Sequence, residues 1–500
     1  MLFNTINYLI FFVVVFIVNY SLPKKFRYIW LLVASYYFYM QWNPWYILLI
    51  IGTTILTYIS GLLILKYQDS KQKVLINSVL IFCLVIILGM LGYFKYYDMF
   101  LGYLNKVFVY IGHSEIKRQF DVLLPVGISF YVLQSIGYVI DVYRDEIKPQ
   151  RNFLKYALFV SFFPQLVAGP IERASNLMEQ LQNPNRLKWD DFRRGILLIL
   201  YGLFCKIVIA DRIAIIVKTV YATPDTYSGL CIVYAAILFS FQIYCDFYGY
   251  STIARGSAML LGITLVDNFN APYFSKSIKE FWRRWHISLS TWFRDYLYIP
   301  IGGNRKGHIR KNINLLFVFC VSGIWHGASM SFVIWGFLNG FYQVLSEIIN
   351  TIKHKLFDNI SKLLSINIPE RSINFSKRVV MTLVTFALVT FTWIFFAADS
   401  IKHAIHIICC IFNLNFNVLF DGTLFSLGVD KNYTFVMALG ILILMAVDYF
   451  KYKREDIINL IFVQDWWLRA FVYLGLIIGC MLFGCYGEMY DTQQFIYFQF

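Results

Sequence analysis

What most constrains this chain is a succession of apolar stretches, each near the length of one bilayer crossing and separated by short polar links. A helical crossing of the hydrocarbon core takes about twenty apolar residues. Inside lipid, every backbone amide must also be satisfied within its own helix or a closed barrel. The stretches Leu2 to Asn19, Tyr28 to Trp42, Trp45 to Leu65 and Val74 to Phe94 meet this requirement. So do Val122 to Val142, Leu154 to Gly169, Gly195 to Val217, Leu230 to Leu261, Ile313 to Leu345, Val379 to Phe396, Thr434 to Tyr449 and Leu468 to Cys485. They predict an all-α, polytopic transmembrane bundle of roughly ten to twelve crossings, with some helices broken or re-entrant. A soluble globule is excluded: with 59% hydrophobic and 15% charged residues, too much apolar surface would face water.

The formal net charge of +15 does not point to nucleic acid, because the basic residues lie in short clusters between apolar stretches. They mark topology instead. Lys24, Lys25 and Arg27, then Lys66, Lys71 and Lys73, then Arg144, Lys148 and Arg151 occupy alternate loops, which the positive-inside rule assigns to the cytoplasm. The N-terminus is then outside, as are Ala222 to Ser228 and the long Asp399 to Asn432 segment. Lys106, Lys117 and Arg118 run against this count. The first stretch has no basic region ahead of it and no small-residue cleavage site, so it reads as a retained span in the cytoplasmic (inner) membrane. The nine cysteines lack CxxC or CxxH spacing, predicting core residues with neither a metal site nor a disulfide framework. No repeat or linker is visible, so residues 1–500 are expected to form one domain.

Two stretches carry residues that a spanning helix would exclude. In Phe281 to Arg305, basic, aromatic and apolar residues alternate too quickly for a span, and Pro300, Gly302 and Gly303 end any helix, predicting a re-entrant or interfacial element. Arg283, Arg284, Arg294 and Arg305 suit the phosphates of a cytosolic donor, or equally lipid headgroups. In Ser322 to Ser331, His326 stands among small residues within an apolar stretch. An imidazole at membrane depth points to proton transfer, the alternative being a polar tie to a neighbouring helix. The neighbours Gly323, Gly327, Ala328 and Ser329 would let the helix open or a substrate approach. Asp246, inside Leu230 to Leu261, requires a partner such as a histidine or Arg255, and Pro164 to Pro170 reads as a broken helix. No P-loop, GxGxxG, GxSxG or HExxH appears in a supporting context, which removes the nucleotide hydrolases, serine hydrolases and zinc proteases. A transporter or flippase for a lipid-linked sugar stays open on these features.

The runs from Arg283 to Asn304 and from Gly323 to Ala328 resemble the membrane-bound O-acyltransferase (MBOAT) family. Pro164 to Arg173, Cys245 to Ser251 and Phe495 to Phe500 are similar to its alginate and peptidoglycan O-acetylation branch. The resemblance implies a conserved core over roughly 120–350, a cytosolic entrance for an acyl donor and an outer cavity for the acceptor. It makes His326 the catalytic base and His286 its support, with Arg283, Arg284, Trp285 and Arg294 at the donor and Trp325, Gly327 and Asp246 at the substrate cavity. Tyr248 and Thr252 depart from the branch pattern, which expects Ser and Asp there. The donor implied is acetyl-CoA, with no cofactor and no metal, or a carrier-protein thioester if the chain transfers D-alanine instead. The acceptor is a polysaccharide hydroxyl, reached directly or through an extracytoplasmic SGNH-type partner. No cysteine or serine stands out as a covalent acyl carrier, so direct transfer is expected.

Overall fold

A computed structural model describes residues 1–116, 125–167, 169–183, 186–361, 370–486 and 496. Among the described residues, each of the twelve apolar stretches falls on helices and there is no strand. Among the described residues, seven helices are long and apolar enough to cross a membrane. Their outward residues are large and apolar, such as Leu442, Phe471 and Met481, each about two-thirds exposed or more, the surface that lipid would cover.

The chain packs into two compact units, one built mainly from Met1–Lys206 and Phe247–Asp267, the other from Ile207–Asp246 and Asn268–Ile496. In the first, helices Ile6–Ser21, Lys24–Met40, Ile47–Asp69 and Lys73–Tyr110 follow one another through short links, and Ile128–Tyr143 packs against the last two of them. The expected break near Pro164 is present: helix Phe153–Ser161 stops at Phe162 and restarts as Phe163–Leu166, with the proline in its first turn, where a missing N–H costs nothing. Helices Trp189–Leu203 and Gly229–Leu260 approach through glycines seven residues apart on each. A methyl on Gly202 would lie 2.6 Å from the Gly249 carbonyl oxygen, and one on Gly256 equally close to that of Gly195. Backbones touch this closely only where small residues line the contact.

Lys73–Tyr110 runs well past the expected end at Phe94. Its 38 residues span about 57 Å against a core of about 30 Å, so Lys106 sits on a helix continued beyond the hydrocarbon. Lys117 and Arg118 lie outside the described residues, as do Phe495 and Tyr497 to Phe500 of the C-terminal motif. The cysteines correct the sequence reading in part: Cys83, Cys205, Cys231, Cys245 and Cys480 are buried, but Cys409 is exposed and Cys320, Cys410 and Cys485 are half-buried.

The second unit holds the main departure from expectation. Ile313 to Leu345 is not one span but two antiparallel helices, Gly307–His326 and Met330–Ser361, joined by a three-residue turn. The ion pair between Lys311 and Glu347 (2.6 Å) closes the base of this hairpin. Three glycines explain why it forms. A methyl on Gly323 would stand 2.2 Å from the Phe332 carbonyl oxygen, one on Gly336 2.2 Å from that of Phe319, and one on Gly327 2.2 Å from the Phe332 ring. Of the small residues read as openings for substrate, Gly323 thus lets the helix backbones meet and Gly327 makes room for the Phe332 ring.

Candidate active site

His326 is the last residue of its helix and lies at the tip of the hairpin, 15 residues and so about 22 Å from Lys311 at the base. It is 4% exposed. Aromatic rings surround it: Trp325 at 4.8 Å between centroids, Trp335 at 5.0 Å and Phe396 at 5.3 Å, all edge-on. Trp335 in turn stacks on Trp393 at 5.7 Å, and Phe396 meets Trp335, Trp393 and Phe332 at 5.0–5.3 Å. Such a box fixes the imidazole plane and excludes water, two conditions for a proton transfer whose geometry must not wander.

His286 belongs to the predicted re-entrant segment, which folds as short helices Ile278–Arg284 and Ile287–Phe293, a π-turn Arg294–Tyr298 and a glycine-rich turn. Ser277 caps the first helix by accepting from the Glu280 amide. Between the two helices, His286 adopts a left-handed backbone (φ 44°, ψ 54°), a conformation that non-glycine residues take at a cost and that often marks a functional site. Asn268 holds this corner. Its backbone carbonyl accepts from the Ile287 amide at 3.0 Å, and its side-chain oxygen accepts from the Ser288 hydroxyl at 2.6 Å. His286 is buried, with its ring 6.2 Å from Trp325. The structure therefore brings the two histidines, forty residues apart in sequence, to the same indole.

The arginines separate into different roles. Arg284 is committed inside the protein: it donates to Glu280 at 3.0 Å and to the Asn270 carbonyl at 3.0 Å, and lies over the Tyr452 ring at 4.9 Å. Arg283 and Arg294 instead line a cavity of about 830 Å³ between this segment and the hairpin. Lys279 adds positive charge to its wall, Lys311 is neutralised there by Glu347, and Asn304, Ser290 and Gln343 supply neutral polar groups. Arg294 makes a two-pronged contact with Asp295 at 2.6 and 3.1 Å, which holds the guanidinium even more firmly protonated. Arg283 is exposed at the mouth. The cavity reaches Phe319 and Ser322. Ser322 lies one helical turn before His326, on the same face.

Trp285 does not line this cavity. It is buried among Phe269, Trp393, Phe281 and Tyr244 at 5.0–5.8 Å, so it ties the segment to the box around His326. Gly327 is buried against Phe332. Asp246 is 3% exposed, and its carboxylate accepts from the Ile496 amide at 2.7 Å; Arg255, the cation considered for it, pairs with Asp267 at 3.2 Å. Sequence reasoning missed Trp335, Trp393 and Phe396, whose aromatic type is too common here to single them out. It also missed Asp448, fully buried and accepting from the Tyr244 hydroxyl at 2.8 and 3.0 Å. That carboxylate did carry a signal, an acidic residue inside Thr434 to Tyr449, by the same logic that flagged Asp246.

Comparison with known proteins places this geometry. The family model described as MBOAT, membrane-bound O-acyltransferase family, matches residues 144–358, a range containing both histidines and the basic cavity. A probable alginate O-acetylase of Pseudomonas syringae pv. tomato is 36% identical over 409 residues, covering 81% of this chain and 74% of the relative. A peptidoglycan O-acetyltransferase of Helicobacter pylori is 33% identical over 425 residues, covering 79% and 76%. A teichoic acid D-alanyltransferase of Bacillus subtilis is 29% identical over 300 residues, covering 57% and 72%. With relatives of this identity matched over most of both chains, the protein belongs to the membrane-bound O-acyltransferase family.

Proposed function

We propose that this enzyme takes an acetyl group from acetyl-CoA at the cytosolic face and delivers it through the site at His326 for O-acetylation of a cell-surface or secreted polysaccharide, an alginate-like polymer or peptidoglycan. The observation that carries this reading is the basic cavity, which runs from Lys279 and Arg283 at its mouth to Ser322, one turn from His326. About 830 Å³ is ample for a pantetheine-type thioester arm, and guanidinium forks suit the phosphates at the far end of such a donor. His326 takes the proton of the accepting hydroxyl as its oxygen attacks the thioester carbonyl. The thiolate leaves toward the cavity, and the imidazolium returns the proton to it. His286 supports the reaction through Trp325, against which both rings rest.

The chain lies in the cytoplasmic membrane with its N-terminus outside. Because the histidine hairpin returns to the side it left, the segment 399–432 then falls outside, in agreement with its few basic residues. The acceptor is reached there, directly or through an SGNH-type acetyltransferase partner. The match to teichoic acid D-alanyltransferases supports one alternative, a D-alanyl group supplied by a carrier protein. The deciding experiment measures base-released acetate and D-alanine on surface polymers from cells with the wild-type gene, His326→Ala or no gene. Loss of acetate in both mutants, with the variant present in the membrane, supports the proposal. Unchanged acetate in the gene-less strain overturns it, and loss of D-alanine alone selects the carrier-linked reaction.

A further inference from the structure

Away from the acyl-transfer site, three side chains from two elements converge on one exposed spot. His406 and Cys410 lie one turn apart on helix Ile401–Cys410, and Asp225 lies on the turn Pro224–Thr226. The His406 Nε2 and Asp225 Oδ1 atoms are 2.8 Å apart, Cys410 Sγ is 3.5 Å from the same oxygen, and the three donor atoms all lie within 4.8 Å of one another. Metal–ligand bonds of about 2.0–2.1 Å to nitrogen and oxygen and about 2.3 Å to sulfur put the donor atoms of a tetrahedral zinc site roughly 3.3–3.6 Å apart. To accept an ion, the His–Asp edge must open by about 0.5 Å from 2.8 Å, and the His–Cys edge, within 4.8 Å, must settle near 3.6 Å.

We infer that Asp225, His406 and Cys410 form a binding site for a zinc-type divalent cation, with solvent in the fourth position. An imidazole, a thiolate and a carboxylate make the donor set such an ion prefers over calcium or magnesium. The surrounding structure pre-orients the ligands. His403, one turn earlier on the helix, meets the Tyr221 carbonyl through Nε2 at 2.8 Å, and the Gly229 amide donates to the Asn413 carbonyl at 2.7 Å, so both ends of the turn are fastened to the helix. On binding, the ion displaces the Cys410 thiol proton, which leaves to solvent, and replaces the His406–Asp225 hydrogen bond. Sequence spacing could not show the site, because its third ligand lies 181 residues from His406.

The location gives the ion a consequence. Helix Ile401–Cys410 begins just after Ala398 and Asp399, whose carbonyls accept from the Ser331 and Ser329 hydroxyls beside the hairpin tip. A cation at this site therefore clamps the corner next to His326 without touching it.

The test uses the full chain in detergent, reduced with a phosphine, stripped of metal and titrated with Co²⁺. The expected result is a thiolate-to-cobalt charge-transfer band that saturates at one equivalent and is displaced by Zn²⁺. The band should vanish in C410S, persist in C409S, and require at least ~10-fold more cobalt in D225N, a loss no smaller than outer-shell changes cause. Zinc should raise the melting temperature of the wild type but not of D225N. Absence of a band, with no cobalt retained, would mean an exposed ion pair only. A band unaffected by C410S and D225N would place the ion elsewhere. Either result overturns the inference.

Discussion

Substituting Gly336 by alanine tests whether the hairpin positions His326. The added methyl would stand 2.2 Å from the Phe319 carbonyl oxygen and 3.3 Å from the Gly323 amide nitrogen, both backbone atoms that cannot swing aside. Ordinary contact begins near 3.4 Å, so the two helices must separate by about 1 Å at a point ten residues from the tip. Overpacking of this kind costs about 1–3 kcal/mol of stability, which a chain of this size can survive. The catalytic cost is larger, since a misplacement of about 1 Å is worth about 10²-fold in rate. Acetate transferred to polymer, expressed per amount of folded enzyme recovered in detergent, should fall roughly 30- to 100-fold in G336A. Gly475→Ala provides the control, because nothing lies within 4 Å of a methyl there. It should match wild type in rate. If G336A also transfers acetate at the wild-type rate, the hairpin contact does not set the position of His326 and the reasoning fails.

Arg283→Ala and Arg284→Ala should separate binding from structure. The first exposes only a changed cavity mouth and should raise the donor KM about tenfold with kcat preserved, whereas the second breaks the Glu280 and Asn270 contacts and should lower the melting temperature with KM near wild type. Trp335→Ala removes one wall of the box around His326 and should reduce kcat by about 10²-fold, with donor KM changed less than threefold in steady-state assays. Tyr244→Phe removes a hydroxyl bonded to the buried Asp448 carboxylate and should cost about 1.5–3 kcal/mol, read from unfolding in detergent.

Much of the scaffold was legible because bilayer physics leaves few choices: an apolar stretch of the right length must be a helix. The two candidate histidines stood out for the converse reason. A titratable ring in an apolar run, and arginines among tryptophans, are expensive unless they do something. The hairpin was not legible. Composition between Ile313 and Leu345 is equally apolar on both sides of Gly327, and nothing in a linear pattern says that Gly323 will seat the Phe332 carbonyl rather than continue a straight helix. Arg284 and Arg283 were likewise indistinguishable as neighbours in sequence. Their roles diverge because one side chain finds Glu280 a turn earlier on its own helix and the other turns toward the cavity.

Under the proposed function, the hairpin would let a histidine deep in an apolar region serve a donor that never leaves water. A single span would put His326 in the middle of a continuous helix whose surface is closed by its own turns. Ending the helix at His326 instead places the ring at a tip, frees the last carbonyls of the turn, and lets a second helix return along the glycine seam. The cavity then follows the outside of that hairpin from a basic mouth to Ser322. Its polar end stays near the Lys311–Glu347 pair at the base, and its inner end stops one turn from His326. A long, flexible thioester with phosphates at one end and a reactive carbonyl at the other matches that gradient. A compact sugar-phosphate cargo would leave the inner, Phe319-lined end without a partner, so donor analogues lacking the pantetheine arm should bind at least tenfold more weakly in competition assays.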